Sequence, residues 1–318
     1  MQKGTAGPLN TSVVIRTVSE RTEQLCYRLL CQQIPPENIS IVHEAPFAKA
    51  VQKTFEIGLD KNLPWTLAVD ADILIAPNVI NQLLAIAEQA DPKVFKFGLK
   101  VLDKFFGGLR YAGIHLYRTA LLDETRKYIA QSHSSLRPET FILRRMQELG
   151  YVFHQIEEEF VLGLHDYEQY YRDIYRKGFT HAHKHKYYVQ YLSSFWQRMA
   201  SSDIDYQVMM WGARDGLDFK GNVKIDVRDF SPDYIDDLLH KHALSEKRPP
   251  DIDKSVDCDI EHLLNSWKPP SEYWMCEYFW EASAIPALQR GRNLIKRTNW
   301  RTYLWFMSKR IGMRLTSS

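Results

Sequence analysis

The N-terminal part of the chain alternates between apolar segments suited to strands and amphipathic segments suited to helices, and this order restricts the fold more than any other feature. Strands are predicted at 12–15, 39–42 and 66–69, and helices between them at 20–33 and 47–59. A β-α-β-α-β order requires crossover connections, which place helices on both faces of a sheet. We therefore expect an α/β fold with a mostly parallel sheet.

Two carboxylates, Asp70 and Asp72, stand where the third predicted strand ends. Side chains repeat with period two on an extended chain, so both carboxylates can point to the same side. Carboxylate oxygens suit Mn²⁺ or Mg²⁺, which take their remaining ligands from water and substrate phosphates. Open α/β sheets bind ligands at the carboxyl ends of their strands. The pair therefore predicts a metal-diphosphate site, although carboxylates at strand ends also serve as turn formers.

This arrangement resembles the glycosyltransferases of the GT-A fold, most closely those of family 2. In that family the first strand leads into a loop that contacts the nucleoside, and Thr17, Val18 and Glu20 stand at the matching positions. The resemblance also implies a residue facing the base after the second strand, which is His43 or Glu44 in this chain.

Further donor contacts follow from the same resemblance. Lys53 is the nearest match to a basic residue of the second helix that reaches the diphosphate. Asp70 and Ala71 match the donor-binding part of the acidic motif, in which Asp70 contacts the ribose or a metal-bound water. Gly113 lies in the glycine-marked strand 107–118, which the family places beside the donor sugar, before a helix from Thr119.

The segment 139–151 resembles the acidic helix start that carries the catalytic base in inverting members of the family. Counted back from Gly150, Glu139 falls on the position of that base, where the family usually has Asp. A carboxylate is a natural general base for an acceptor hydroxyl. The alternative is structural, because Pro138 suits a first helical turn and a nearby Glu complements the helix dipole.

A dense polar and aromatic segment, 163–178, supplies the remaining candidates. The family resemblance implies that His165 completes a metal site with Asp70 and Asp72, and neutral imidazole suits Mn²⁺ better than Mg²⁺. Arg172, Arg176 and Lys177 either offset diphosphate charge or form a solvated helix face.

Three alternating histidines follow this segment. His181, His183 and His185 have lysines between them and no nearby cysteine, which favours an exposed, partly cationic loop or helix end over a second metal site.

Composition favours a cytoplasmic enzyme. The 318 residues are 45% hydrophobic, which is enough for one large core or two unequal ones. The four cysteines do not suggest a disulfide framework, and the sequence contains neither an apolar signal region nor an apolar run as long as a membrane span. We expect a GT-A catalytic domain over 1–190 and a mainly helical extension over 191–318, with an acidic, loop-rich part at 203–259.

The last residues are basic and aromatic. No carboxylate side chain follows Glu281, whereas eight basic residues do, interleaved with large apolar ones. Such a segment suits the surface of an anionic membrane, at the inner face in a cytoplasmic protein. The alternative is a terminal helix docked on the acidic region 203–259. The aromatic stretch 273–280 either packs against the catalytic domain or stacks on sugar rings. The net charge of +2 and the absence of an RNA-binding signature argue against nucleic acid.

Together these observations predict a metal-dependent glycosyltransferase of the hexosyltransferase class. It would move a sugar from a UDP- or GDP-sugar to a hydroxyl of a glycan, glycolipid or other lipid-linked acceptor, with inversion. One alternative is a non-catalytic membrane adaptor that keeps the fold. An aspartate-nucleophile phosphohydrolase is disfavoured, because two strands precede the acidic motif and Leu74 stands where Thr or Val usually follows.

Overall fold

A computed structural model describes residues 10–135, 137–156, 160–184, 186–221, 232–251 and 257–268. The chain divides into two compact units, Met1–Pro270 and Ser271–Ser318, and all described residues belong to the first. The predictions for the aromatic stretch 273–280 and for the basic tail lie outside the described residues. Among the helices that are described, none is both long and apolar enough to cross a bilayer.

Strands and helices alternate along most of the chain. The strands are β1 Thr11–Thr17, β2 Ile39–His43, β3 Trp65–Asp70, β4 Ile73–Ile75, β5 Val94–Asp103, β6 Gly108–Arg118, β7 Val152–Gln155 and β8 Val161–His165. The helices are α1 Glu23–Cys31, α2 Phe47–Lys61, α3 Val79–Glu88, α4 Arg126–Ser132, α5 Pro138–Glu148, α6 Tyr171–Lys184, α7 Lys186–Met199, α8 Asp205–Asp218, α9 Pro232–Lys241 and α10 Asp257–Ser266.

The strands form one mixed sheet in the order β2-β1-β3-β6-β5-β8-β4, with β7 also paired to β5. The N-terminal strands β1, β2 and β3 are parallel, as predicted. The sheet as a whole is mixed: β5 is also parallel to β7 and β8, whereas β6 runs antiparallel to both β3 and β5, and β4 runs antiparallel to β8. A tight turn over residues 104–107 joins β5 to β6, and strands joined by so short a connection must be antiparallel.

Helices cover both faces of the sheet. Successive side chains of β3 point to opposite faces, so Leu67 and Val69 pack with α1 and α3 while Ala68 packs with α2, α4 and α5. Each fully buried Leu or Val side chain contributes about 1.5–3 kcal/mol to stability. The prediction of an α/β fold with helices on both faces is therefore confirmed.

Several element boundaries differ from the predicted ones. The helix predicted at 20–33 begins only at Glu23, because the chain turns at Ser19, where φ is +71°. After Thr119 two short 3₁₀ turns precede α4, where one helix was expected. The region 203–259 is more helical than predicted, since it contains α8, α9 and the start of α10. Cys26 and Cys31 are free.

Close backbone packing fixes the position of α6. A Cβ atom at Gly178 would lie 2.3 Å from the carbonyl oxygen of Met209, and one at Gly212 would lie 2.1 Å from that of Tyr175. Only glycines permit this approach of α6 to α8. The packing matters for the site because one side of α6 faces it. Residue 190 lies within α7, and a functional division at that position stays a prediction.

Candidate functional site

A cavity of about 420 Å³ lies where β1, β3 and β8 end, beside α6. Parallel strands β1 and β3 bring their carboxyl ends to the same edge of the sheet, which is where α/β sheets bind ligands. The cavity is lined by most of the predicted site residues: Val18, Glu20, Asp70, Asp72, Gly113, Glu139 and His165.

Three side chains at this edge form a group with metal-binding geometry. Asp72, His165 and Asp166 each present one ligand atom, and these atoms lie within 4.8 Å of one another. The antiparallel pairing of Ile73 with His165 brings β4 and β8 together and so places Asp72 beside the imidazole. His165 Nε2 lies 3.3 Å from Asp72 Oδ2.

The donor set fits a divalent cation. Asp72 Oδ1 is buried, and no donor within the described part of the chain bonds to it. Such an oxygen gains most from a cation, since a buried acceptor without a partner is costly. Two carboxylates and one imidazole suit Mn²⁺ better than Mg²⁺.

Asp70 is not one of these three residues but is held by an arginine, and its role as a metal ligand stays a prediction. Arg16 lies opposite Asp70 in the pairing of β1 with β3. Its Nε donates to Asp70 Oδ1 at 2.8 Å, and its Nη2 lies 2.8 Å from the same oxygen. Burial raises the pKa of Asp70 to about 7 against the opposing charge of Arg16. The structure adds Asp166, which the sequence analysis did not single out, to the candidate ligands Asp72 and His165.

A lysine of α6 lies among the ligand atoms. Lys177 Nζ is 3.2 Å from Asp72 Oδ2 and contacts Asp166 Oδ1. Burial opposes its charge, but the two carboxylates raise the pKa of Lys177 above its ordinary value. Burial likewise opposes the charge of Asp72, but His165 and Lys177 hold the pKa of Asp72 well below its ordinary range. Two carboxylates, an imidazole and an ammonium thus form one electrostatic unit.

The other predicted cations of α6 separate into two sets. Arg176 lines the cavity beside Lys177. Arg172 is exposed and lies over the ring of Tyr170, with its guanidinium carbon 4.6 Å from the ring centroid. Of these three cations, Arg176 and Lys177 line the cavity and Arg172 does not.

Glu139 lies on the opposite side of the cavity within a buried polar network. Its Oε1 accepts hydrogen bonds from Arg16 Nη1 at 2.8 Å and from the Tyr117 hydroxyl at 2.7 Å. Its Oε2 lies 3.1 Å from His115 Nε2. Burial opposes its charge, but Arg16 and His115 hold the pKa of Glu139 well below its ordinary value. These contacts make Glu139 a weak base as long as they persist.

The predicted nucleoside loop is held by its own hydrogen bonds. The hydroxyl of Thr17 and the backbone N–H of Val18 both donate to Glu20 Oε2 at 2.7 Å. Val18 and Glu20 thereby line the cavity. Ala71 is fully buried: its N–H donates to the Arg16 carbonyl and its carbonyl accepts from the Thr22 hydroxyl, so it holds the acidic turn together.

Gly113 has a backbone requirement that explains its identity. Its φ is +65°, and a Cβ atom there would lie 2.7 Å from Ile73 Cδ1. Both features exclude larger residues at a point that borders the cavity.

Other predicted residues lie outside the cavity lining. Lys53 is exposed on α2, 3.6 Å from Glu56, and Glu44 does not line the cavity. His43 is exposed, 3.8 Å from Glu23.

His181 and His183 lie near the end of α6, as the helix-end alternative predicted, but they are not exposed. His181 and His183 are half-buried within α6, where they contact Phe106 and Phe179 respectively, and His185 lies outside the described residues. These aromatic contacts explain why the histidines do not face solvent.

Arg16, Asp103 and Asp166 are polar residues of the site that the sequence did not single out. Asp103 Oδ2 lies 2.6 Å from His165 Nδ1. The sequence did contain signals for two of them: Asp166 directly follows His165, and Arg16 places a charge near the end of a buried strand. Nothing in the local pattern distinguished Asp103 from an ordinary turn residue.

No family model and no curated protein matches the sequence. Several solved structures resemble it in part, including the three that follow. The mannosyltransferase PcManGT from Pyrobaculum calidifontis, in complex with GDP-Man and Mn²⁺, has 10% identity and a TM-score of 0.36, and the match covers 74% of this chain and 81% of that one. A glycosyltransferase involved in glycosylation of the major capsid of PBCV-1 has 11% identity and a TM-score of 0.34, covering 49% and 93%.

The third structure is A197 from STIV, with 11% identity and a TM-score of 0.30, covering 36% of this chain and 68% of that one. Likenesses this weak carry no argument about activity, which must rest on the residues of this chain.

Proposed function

We propose that this protein is a metal-dependent glycosyltransferase that uses a nucleotide sugar. The observation that carries the proposal is the group Asp72, His165 and Asp166 beside Lys177 and Arg176, in one cavity at the carboxyl ends of the strands. Oxygen and imidazole ligands next to fixed cations suit a metal-bound diphosphate better than an uncharged ligand.

In this proposal Asp72, Asp166 and His165 Nε2 hold Mn²⁺, which as a Lewis acid would stabilise the charge on a leaving diphosphate. Lys177 and Arg176 offset the remaining phosphate charge. Burial opposes a charge on His165, but neighbouring carboxylates, with Asp166 the strongest, raise the pKa of His165 to about 9. Because only neutral imidazole ligates a metal, ion binding must release the proton from Nε2.

On the donor side, the loop with Thr17, Val18 and Glu20 would contact the nucleoside of a UDP- or GDP-sugar. Asp70 lines the cavity, and Arg16 holds one of its carboxylate oxygens. The carboxylate of Asp70 is therefore oriented to accept a hydrogen bond from a ribose hydroxyl. Gly113 borders the same space and leaves room for the sugar.

On the acceptor side, we propose that transfer inverts the anomeric configuration of the donor sugar. Glu139 would act as the general base for a hydroxyl of a glycan or lipid-linked acceptor. Both oxygens of Glu139 are engaged by Arg16, Tyr117 and His115. The base role therefore requires that acceptor binding displace at least one of these contacts, since a carboxylate with a depressed pKa takes up a proton poorly.

We further propose a catalytic part within 1–190 followed by an extension whose basic tail contacts an anionic membrane from the cytoplasmic side. All residues assigned to the site precede residue 190, which supports the first part. The composition of the tail supports the second. Deleting residues 290–318 should abolish co-sedimentation with anionic liposomes while leaving hydrolysis of a soluble donor unchanged. Misfolding of the truncated chain, with no liposome binding by the intact protein, would indicate a structural role instead.

The proposed activity is tested by nucleotide-sugar hydrolysis with and without Mn²⁺. Asp72→Asn keeps the shape of the side chain and removes a charged ligand, so Mn²⁺-dependent turnover should be lost. Asp215→Asn is a matched control, because the side chains of Asp215 and Asp72 are 19% and 17% exposed and Asp215 contacts Tyr175 far from the ligand group.

Unchanged turnover of the Asp72→Asn protein in saturating Mn²⁺ would refute the metal role. Tight binding of Mn²⁺ and nucleotide sugar by the unaltered protein, without turnover, would instead favour the non-catalytic adaptor.

A further inference from the structure

A buried carboxylate lies directly behind the imidazole of His165. Asp103, the last residue of β5, pairs with His165 in the parallel register of β5 and β8. Its Oδ2 is 2.6 Å from His165 Nδ1, and its side chain is fully buried. The opposite ring nitrogen, Nε2, faces Asp72. The imidazole is therefore held between a carboxylate on each side.

Asp103 itself is fixed in orientation. Its Oδ1 accepts the backbone N–H groups of Phe105 at 3.0 Å and Phe106 at 2.9 Å, in the turn between β5 and β6. Arg110 Nη1 lies 3.2 Å from Oδ2. Because the two amides hold Oδ1, the carboxylate cannot exchange its oxygens, and Oδ2 always faces His165.

We propose that Asp103 is a positioning residue that keeps a proton on Nδ1 of His165, so that the lone pair of Nε2 is directed at the metal. A carboxylate accepts but does not donate, and carboxylates face both ring nitrogens. Asp103 lies 2.6 Å from Nδ1, whereas Asp72 lies 3.3 Å from Nε2 and would itself bind the metal, so with a metal on Nε2 the single proton of neutral His165 belongs on Nδ1. Outer carboxylates of this kind also fix the ring orientation and raise the basicity of the ligating nitrogen. This inference rests on the proposed metal-dependent function.

The variant Asp103→Asn tests the inference because its outcome follows from the hydrogen bonds. The amides of Phe105 and Phe106 would keep the amide oxygen at the Oδ1 position, which turns the NH₂ group toward His165. Nδ1 then loses its 2.6 Å acceptor, faces a donor in its place and keeps only the 3.2 Å contact with Asp166 Oδ2, so the proton of the neutral imidazole shifts toward Nε2, where it blocks ligation. We expect Mn²⁺ affinity, measured on the full chain by EPR titration of free Mn²⁺, to fall by about 10–100-fold.

Two comparisons separate this effect from a general loss of structure. Asp205→Asn removes another buried carboxylate, which contacts Lys104 at 2.5 Å, and should leave Mn²⁺ affinity unchanged. His165→Ala and the double variant with Asp103→Asn should bind Mn²⁺ equally weakly, because Asp103 acts only through the imidazole.

A measurement on the unaltered protein makes the inference independent of whether the variant folds. With diamagnetic Zn²⁺ bound, imidazole ¹⁵N NMR should show the proton of His165 on Nδ1. A proton on Nε2, equal Mn²⁺ affinity after Asp103→Asn, or additive losses in the double variant would overturn the positioning role while leaving the proposed function standing. Failure of the unaltered protein to bind Mn²⁺ would overturn both.

Discussion

Replacing Arg16 tests the assignment of Asp70 and Glu139 to one buried ion network. The Arg16 side chain is 3% exposed and lies 2.8 Å from a carboxylate oxygen of each partner. At an effective dielectric constant of about 20, two unit charges about 4 Å apart attract each other by about 4 kcal/mol. Arg16→Met leaves two buried carboxylates without this partner, and relief of the desolvation of Arg16 offsets part of the loss. We expect the free energy of unfolding to fall by about 3–5 kcal/mol.

Urea unfolding followed by circular dichroism measures this loss. Arg126→Met is the matched control, because Arg126 pairs at 2.8 Å with Asp123, their side chains are 67% and 70% exposed, and such surface pairs contribute about 0–1 kcal/mol. Adding Asp70→Asn and Glu139→Gln to Arg16→Met should restore most of the stability, since no buried charge of the network then lacks a partner. A loss below about 1 kcal/mol for Arg16→Met, or no recovery in the triple variant, would refute the network.

Three further predictions concern neighbouring groups. Glu139→Gln should lower the free energy of unfolding by about 1–3 kcal/mol, because Arg16 loses a charged acceptor. It should also lower the rate of sugar transfer about a hundredfold while donor hydrolysis is retained, and a normal transfer rate would refute the general-base role. Lys177→Met should tighten Mn²⁺ binding about tenfold, a difference of about 1.4 kcal/mol, because the ammonium competes with the metal for the carboxylate of Asp72. The same variant should bind nucleoside diphosphate more weakly in calorimetry, because the ammonium no longer offsets phosphate charge. An unchanged Mn²⁺ affinity would contradict this prediction. Burial lowers the pKa of His115 from 6.5 to about 4, so the unfolded chain takes up a proton that the folded protein does not. The free energy of unfolding therefore carries no penalty from His115 above about pH 6.5 and should decrease by about 3 kcal/mol as the pH falls to about 4. His115→Gln should flatten the dependence of the unfolding free energy on pH. Identical slopes for the two proteins would show that His115 does not cause this dependence.

Local sequence was enough to predict the elements that build the site. Apolar runs and helical periodicity placed β1, β2 and β3 with errors of one or two residues, because burial on both faces of a strand and on one face of a helix leaves a local pattern. The same reasoning placed Asp72 at a strand end and Pro138 at the start of α5. The position of β6 between β3 and β5 in the sheet was not predictable, because the sequence of a strand does not indicate which distant strand it pairs with.

Tertiary structure alone decided which polar side chains meet. Arg16 engages Asp70 because β1 and β3 pair in one particular register, and that contact occupies one carboxylate oxygen of Asp70. His165 meets Asp103 and Asp72 because β8 lies between β5 and β4. A shift of one residue in either register would point these side chains to the opposite face. Charge and spacing therefore identified the candidates, and strand register determined which of them act together.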